Sequence, residues 1–133
     1  MIARYESLTE CEQLLDLLSV YAPHPCVAHV FSDIAEVQRL LQLYSFKTPQ
    51  LADRLCEMLT SRYRYEIYAL YGAPLSARQT DSSYLRLEQL LGSLVRVAAM
   101  RLACEGELSL TPSQIASSDG LLLRSLKTAM GRG

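Results

Sequence analysis

Residues 47–84 read KTPQLADRLCEMLTSRYRYEIYALYGAPLSARQTDSSY, and the pattern of this stretch indicates the class of fold. Thr48 and Pro49 form a helix start, because threonine offers a capping oxygen and proline fits the first helical position, where its missing N–H is not needed. Gly72 and Pro74 end the second half, as glycine after a helix and proline just beyond it commonly do. The stretch therefore predicts two short helices with a tight break, an arrangement that fits a helix-turn-helix.

Outside this stretch, apolar residues recur at three- and four-residue steps, which is the pattern of amphipathic helices. Ser7 and Glu10 match a capping box that would begin the first of them. The pattern predicts further helices over residues 8–21, 33–45, about 83–104, 112–118 and 121–130.

The local chemistry at three helix ends adds detail. Ser32 or Asp33 is the expected cap of the helix over 33–45, and the short apolar run 27–31 before it has no clear type, with a strand as one option. Thr111 precedes a proline and repeats the Thr-Pro helix start, and Gly106 is expected to end the long helix.

The fold class follows from what the patterns contain and what they lack. No strand pair with hairpin chemistry, no alternation of strands and helices and no convincing repeat occurs. The chain has 133 residues, half of them apolar, which suits one domain with a buried core. The sequence predicts a single all-α domain over residues 1–133, a compact bundle of five to six helices with a helix-turn-helix as a candidate motif.

Charge and hydropathy exclude some classes of protein. Lysine and arginine total 13 against 14 aspartate and glutamate, for a formal net charge of −1, which excludes a uniformly basic DNA-coating protein but not a local basic patch. No apolar run approaches the length of a membrane span, and the acidic N-terminal stretch does not resemble a signal peptide. We therefore expect a cytoplasmic protein without a membrane partner.

The residues that could carry metal or catalytic chemistry are few. Cys11, His24, Cys26 and His29 form the one cluster of cysteine and histidine, and both residue types bind zinc. Their spacing does not reproduce a known zinc motif, so buried cysteines and ordinary loop histidines are favoured and no metal is expected. No Walker loop, nucleophile elbow or His-Glu-x-x-His motif occurs, so we expect neither an enzyme nor a cofactor.

Arginine and tyrosine are dense between Ser61 and Tyr71. If Ser61 caps the second helix of the opening stretch, two arginines lie in its first turn, where recognition-helix residues reach DNA. Arginine forks and tyrosine hydroxyls suit phosphates and base edges. The predicted nucleic-acid-binding residues are Arg62, Arg64, Tyr65 and Arg78.

An alternative interpretation needs no ligand. The tyrosines would pack against neighbouring helices with their hydroxyls at the surface, and the arginines would be neutralised within the chain. The carboxylates available for this purpose are Asp53, Glu57 and Glu66.

The long helix over residues 83–104 is apolar on more than one side, which indicates a helix at the centre of the domain or one shared with a partner. Its candidate partner-binding residues are Leu87, Leu91, Leu94, Val95 and Leu102. Residues 109–130 form a second pattern like a helix-turn-helix, but leucines occupy the start of its last helix, so a hydrophobic docking helix is the alternative.

Residues 50–85 resemble the helix-turn-helix region of FlhC-type transcription activators, the partners of FlhD in the flagellar master regulator. The resemblance implies DNA binding as part of a hetero-oligomer. The residues that carry it are Ser61, Arg62 and Arg64 at the helix start, Ile67, Tyr68 and Leu70 within it, Gly72 and Pro74 after it, and the segment 82–84.

Two functions remain open from the sequence. The first is a small helical DNA-binding transcriptional regulator that acts as a dimer or hetero-oligomer. The second is a helical adaptor or chaperone, for example of a bacterial secretion system, that binds a protein partner through an apolar groove.

Overall fold

The computed structural model describes residues 12–44, 49–71, 83–117 and 119–131. All regular structure in these ranges is helical, which confirms the predicted all-α class. The helices are α1 (residues 12–18, followed by the 3-10 turn Ser19–Tyr21), α2 (Ala28–Tyr44), α3 (Pro49–Arg62), α4 (Arg64–Tyr71), α5 (Ser83–Cys104), α6 (Pro112–Ser117) and α7 (Asp119–Gly131).

Several residues named in the sequence predictions fall outside the described ranges. They are Ser7, Glu10, Cys11, Thr48, Gly72, Pro74 and Arg78.

Helix α5 lies at the centre of the bundle, where α2, α3, α4 and α6 pack against it, α3 most extensively. Its apolar residues point in several directions, and each direction meets a different neighbour, so the burial of most of its length follows from its composition. The buried apolar residues of α5 are Leu87, Leu90, Leu91, Leu94, Val95, Val97, Ala98, Ala99 and Leu102.

This burial corrects the predicted partner-binding residues. None of the five is more than 3 % exposed, because the chain's own helices cover them. The two options for this helix, core packing or a shared surface, are thereby decided in favour of core packing. The five corrected residues are Leu87, Leu91, Leu94, Val95 and Leu102.

Helix α2 begins at Ala28, earlier than the predicted cap at Ser32 or Asp33. The amide of Ala28 donates to the carbonyl of His24 at 3.0 Å, and the helical bonds continue from there. The run 27–31 is therefore a turn and the first part of a helix and not a strand. Its register buries Val27, Val30, Ile34 and Val37 on one face.

Helices α3 and α4 are separated by Tyr63 alone. The Tyr63 amide donates to the Leu59 carbonyl and the Ile67 amide donates to the Tyr63 carbonyl, both at 2.9 Å, so bonds of helical spacing run through the junction. Ser61 and Arg62 therefore belong to the last turn of α3, so Ser61 ends one helix and does not cap the next. A one-residue junction is not the three- to four-residue turn of a helix-turn-helix, and that motif is not confirmed.

The end of α5 and the start of α6 lie where local sequence chemistry predicted them. Gly106 has a φ of 80°, and the amides of Gly106 and Glu107 donate to the carbonyls of Ala103 and Leu102, which is the Schellman pattern at a helix C-terminus. At the start of α6, the Thr111 hydroxyl accepts from the Gln114 amide and the Gln114 side chain accepts from the Thr111 amide. This pair is a complete capping box.

Helix α7 packs one apolar face against the rest of the bundle, as expected of a docking helix, and a second helix-turn-helix is not confirmed. Leu122 and Leu126 are fully buried, and α7 packs against α6, where Ile115 is also buried. Arg124 and Lys127 are exposed on the other side. Among the helices that the structure describes, none has both the length and the apolar content to cross a lipid bilayer.

Candidate functional site

Arg62 is bound within the chain. Its Nη1 lies 2.7 Å from Oδ1 of Asp33 on α2, although the side chain is still 42 % exposed. This contact agrees with the alternative in which the arginines are neutralised internally, but the carboxylate differs from the three that were expected. The early start of α2 is the reason, because it places Asp33 inside the helix and not at its cap.

Arg64 and Tyr65 do project from the surface, in the first turn of α4. Tyr65 is 82 % exposed, and Arg64 is exposed and forms no ion pair with any residue of the described ranges. Of the three predicted nucleic-acid-binding residues within the described ranges, these two adjacent side chains are the ones without an ion pair there, and Arg78 lies outside those ranges.

A buried polar network joins α2 to the junction of α3 and α4. Tyr63 is 1 % exposed, and its hydroxyl donates to Oδ2 of Asp33 at 2.5 Å. His29, one turn before Asp33, has its Nε2 3.7 Å from the same oxygen. Asp33 thus accepts from Tyr63 on one oxygen and from Arg62 on the other.

The network sets the charge of its members. Burial opposes the ionisation of Asp33, but the hydrogen bonds from Tyr63 and Arg62 outweigh it and hold the pKa of Asp33 below its usual value. Burial raises the pKa of the Tyr63 hydroxyl, and the Asp33 carboxylate raises it further. At neutral pH the pair is therefore a carboxylate and a protonated phenol, which is the combination that the hydrogen bond requires.

Sequence reasoning missed this network, although one signal for it exists. Leu55, Leu59, Tyr63 and Ile67 follow at four-residue steps and are all buried. The step of four places Tyr63 on the core side of α3 and α4 and not with the exposed tyrosines. Asp33, the partner of Tyr63 on α2, has no comparable signal in the sequence.

Arg101 on α5 connects three parts of the fold. Its guanidinium forms an ion pair with Glu66 on α4, and it donates to the carbonyl of Cys26 at 3.4 Å. It also lies over the ring of Tyr63, with its central carbon 5.8 Å from the ring centroid. Glu66, expected as a partner for the arginines of its own segment, is thus bound by an arginine of α5.

A groove of about 420 Å³ lies between α4 and the C-terminal half of α5, and we call it the α4–α5 groove. Its surface is mostly apolar, with Arg101 and its ion-pair partner at one side. The lining residues are Cys26, Tyr65, Glu66, Ala69, Val97, Met100, Arg101, Cys104 and Glu105.

Three members of the candidate cysteine–histidine cluster, His24, Cys26 and His29, lie within the described ranges, and they do not meet in one place there. His24 accepts the Cys26 amide on Nδ1 at 3.2 Å and has its Nε2 3.7 Å from Glu107, whereas His29 faces Asp33. Within the described ranges, no three side chains of the kinds that bind metals meet in one place. Cys26 lies instead on the wall of the α4–α5 groove.

The chain matches no protein-family model, no curated protein and no solved structure at a significant level. The fold and the groove therefore carry the argument about function.

Proposed function

We propose that this chain is a helical adaptor that binds an amphipathic helix of a different protein in the α4–α5 groove. The observation that carries the proposal is the exposure of Tyr65 beside an apolar groove formed by two helices. Exposed aromatic and methionine side chains are enriched at the centres of protein interfaces. An apolar groove between helices is also the usual receptor for the apolar face of a partner helix.

The exposed residues around the groove enlarge this surface. Tyr68 lies one turn after Tyr65 on α4 and is 55 % exposed, and Ala69 is exposed beside it. Ala69 is a small residue one turn after Tyr65 in the lining of the groove, which allows close approach of a second helix, and Met100 on α5 is an adaptable apolar contact. A partner helix of two to three turns, roughly 11–16 Å long, matches the length of α4.

Cross-linking tests this proposal. A photoreactive phenylalanine analogue at position 65, in the cells from which the chain derives, is expected to give one adduct whose cross-linked peptide is an amphipathic helix. The same analogue at Tyr44, another exposed tyrosine, which lies at the end of α2, is the matched control and is expected to give none. Ala69→Arg is expected to reduce the adduct at least about tenfold, because a bulky cation would block the groove.

Equal adducts from positions 65 and 44, or an adduct that survives Ala69→Arg unchanged, would contradict the proposal. A cross-link to a second copy of this chain would replace the partner protein with a homodimer.

DNA binding is the second candidate, because Arg64 and Tyr65 are adjacent, exposed and without a carboxylate partner in the described ranges. A regulator of this kind would bind random duplex DNA with an affinity that falls steeply as salt rises. Arg64→Ala would then reduce the slope of log affinity against log salt by about 0.9, whereas Lys127→Ala on α7 would leave it unchanged. Absence of binding at low salt would reject this candidate.

A further inference from the structure

We infer that a lysine or arginine lies at one end of the apolar face of the partner helix. In the complex, this side chain lies against the C-terminal end of α5. The inference rests on the proposed function, because it assigns the chemistry of the segment that the α4–α5 groove receives. It follows from the distribution of charge along the groove.

Two of the three charged residues that line the groove neutralise each other. Arg101 and Glu66 form an ion pair across it, and Arg101 is held further by the Cys26 carbonyl and the Tyr63 ring. Neither charge is therefore available to a partner without the loss of contacts that hold α4 to α5.

Glu105 is the lining charge that remains. It is exposed, and it forms no ion pair within the ranges that the structure describes. Glu107 follows two residues later and is also exposed, but it lies outside the lining of the groove, with its carboxylate 3.7 Å from Nε2 of His24. One end of the groove thus carries the carboxylate of Glu105, while the Tyr65 and Ala69 side carries none apart from the paired Glu66.

The backbone adds to this negative charge. Helix α5 has 22 residues and ends at Cys104, so the negative end of its dipole lies at the same end of the groove as Glu105. Cations are favoured at helix C-termini for this reason. The Glu105 carboxylate and the helix dipole therefore act in the same direction on any group that enters there.

Cys26 lies on the groove wall within reach of the same charges. Burial raises the pKa of its thiol, and the carboxylates of Glu105 and Glu107 raise it further, against the opposing effect of Arg101. A negative environment disfavours the thiolate. The same environment favours a cationic side chain on the partner.

Selection from a displayed library of amphipathic helical peptides tests the inference directly. Peptides selected on the native chain are expected to carry lysine or arginine at one fixed position at the end of their apolar stripe. Peptides selected on the Glu105→Lys variant are expected to lose this preference or to carry aspartate or glutamate there. Glu57→Lys is the matched control, because Glu57 is an exposed glutamate on α3 outside the groove.

The affinity of the best basic peptide gives the size of the effect. Reversal of one exposed charge at Glu105 is expected to weaken binding about three- to tenfold at low salt, and Glu57→Lys less than twofold. The difference should shrink as salt rises, because exposed charges are screened. Protection of the exposed Cys104 thiol from alkylation by bound peptide would confirm that the peptide occupies the groove.

The outcomes separate the two proposals. Peptides that protect Cys104 but show no charge preference would overturn this inference and leave the adaptor function in place. A library that yields no peptide able to protect Cys104 would overturn both.

Discussion

Leu94→Ala is expected to lower the free energy of unfolding by about 2–5 kcal/mol, the cost of a leucine-sized cavity in a core that collapses only in part. Leu94 is 0 % exposed at the middle of α5, the helix against which α2, α3, α4 and α6 pack. Chemical denaturation of the purified chain measures the effect. Leu43→Ala on α2 is the matched control, because the same side chain is 64 % exposed there and its truncation should cost less than about 0.5 kcal/mol.

This comparison also tests the assignment of the α5 leucines to the core. If they belong to the core of one chain, the loss of stability in Leu94→Ala will not depend on protein concentration. If these leucines instead formed a surface between chains, the loss of stability would appear only at protein concentrations at which the chain associates. A variant with unchanged stability when dilute and reduced stability when concentrated would contradict the core assignment.

Asp33→Ala is expected to lower the free energy of unfolding by about 1–3 kcal/mol, the usual cost of a buried hydrogen-bonding group left without its partner. Most of the loss comes from Tyr63, whose hydroxyl donates to Asp33 from a site that is 1 % exposed and would keep only the longer contact with the His29 carbonyl at 3.5 Å. Arg62 contributes little, because its exposed part can be solvated when Asp33 is removed. Asp53→Ala is the control, since Asp53 forms a more exposed ion pair with Arg86 and should cost less than about 1 kcal/mol.

The stability that Asp33→Ala loses relative to the native chain is expected to depend on pH. The pKa of Asp33 is lower in the folded chain than the unfolded value of about 3.9, so the native state favours the ionised form. Its stabilisation is then complete above the unfolded pKa and is lost as pH falls through the folded pKa. The difference in unfolding free energy between the native chain and Asp33→Ala should be constant from pH 7 to about 5 and narrow in stronger acid. A difference that widens below pH 4 would contradict the assignment.

Arg101 connects the polar network around Tyr63 to the α4–α5 groove, so the proposed binding would be linked to stability. Arg101 contacts the Tyr63 ring on one side and Glu66 in the groove on the other. The junction at Tyr63 sets the direction of α4, and α4 carries Tyr65 and Ala69 into the groove. The contact between Asp33 and Tyr63 therefore helps to set the position of the α4–α5 groove.

The predictions that succeeded depend on neighbours along the chain. The start of α6 follows from Thr111 and Gln114, three residues apart, and the end of α5 follows from the positive φ of Gly106. Of the two alternatives at Ser61, a cap of the second helix is the one that the structure does not show, for a related reason. Serine is a good cap, but the helical bonds through Tyr63 continue, and packing of the buried face of both helices overrides the local preference.

The order and type of the helices, the all-α class and most helix ends were determined by the amino-acid sequence alone, because capping and apolar periodicity act over three or four residues. The tertiary structure alone decided which charges are neutralised and which surface is left open. Arg62 meets Asp33 across 29 residues of sequence, Arg101 meets Glu66 across 35 and Cys26 across 75. No local pattern encodes such contacts, because they form only when the helices pack, and the α4–α5 groove between them forms at the same step.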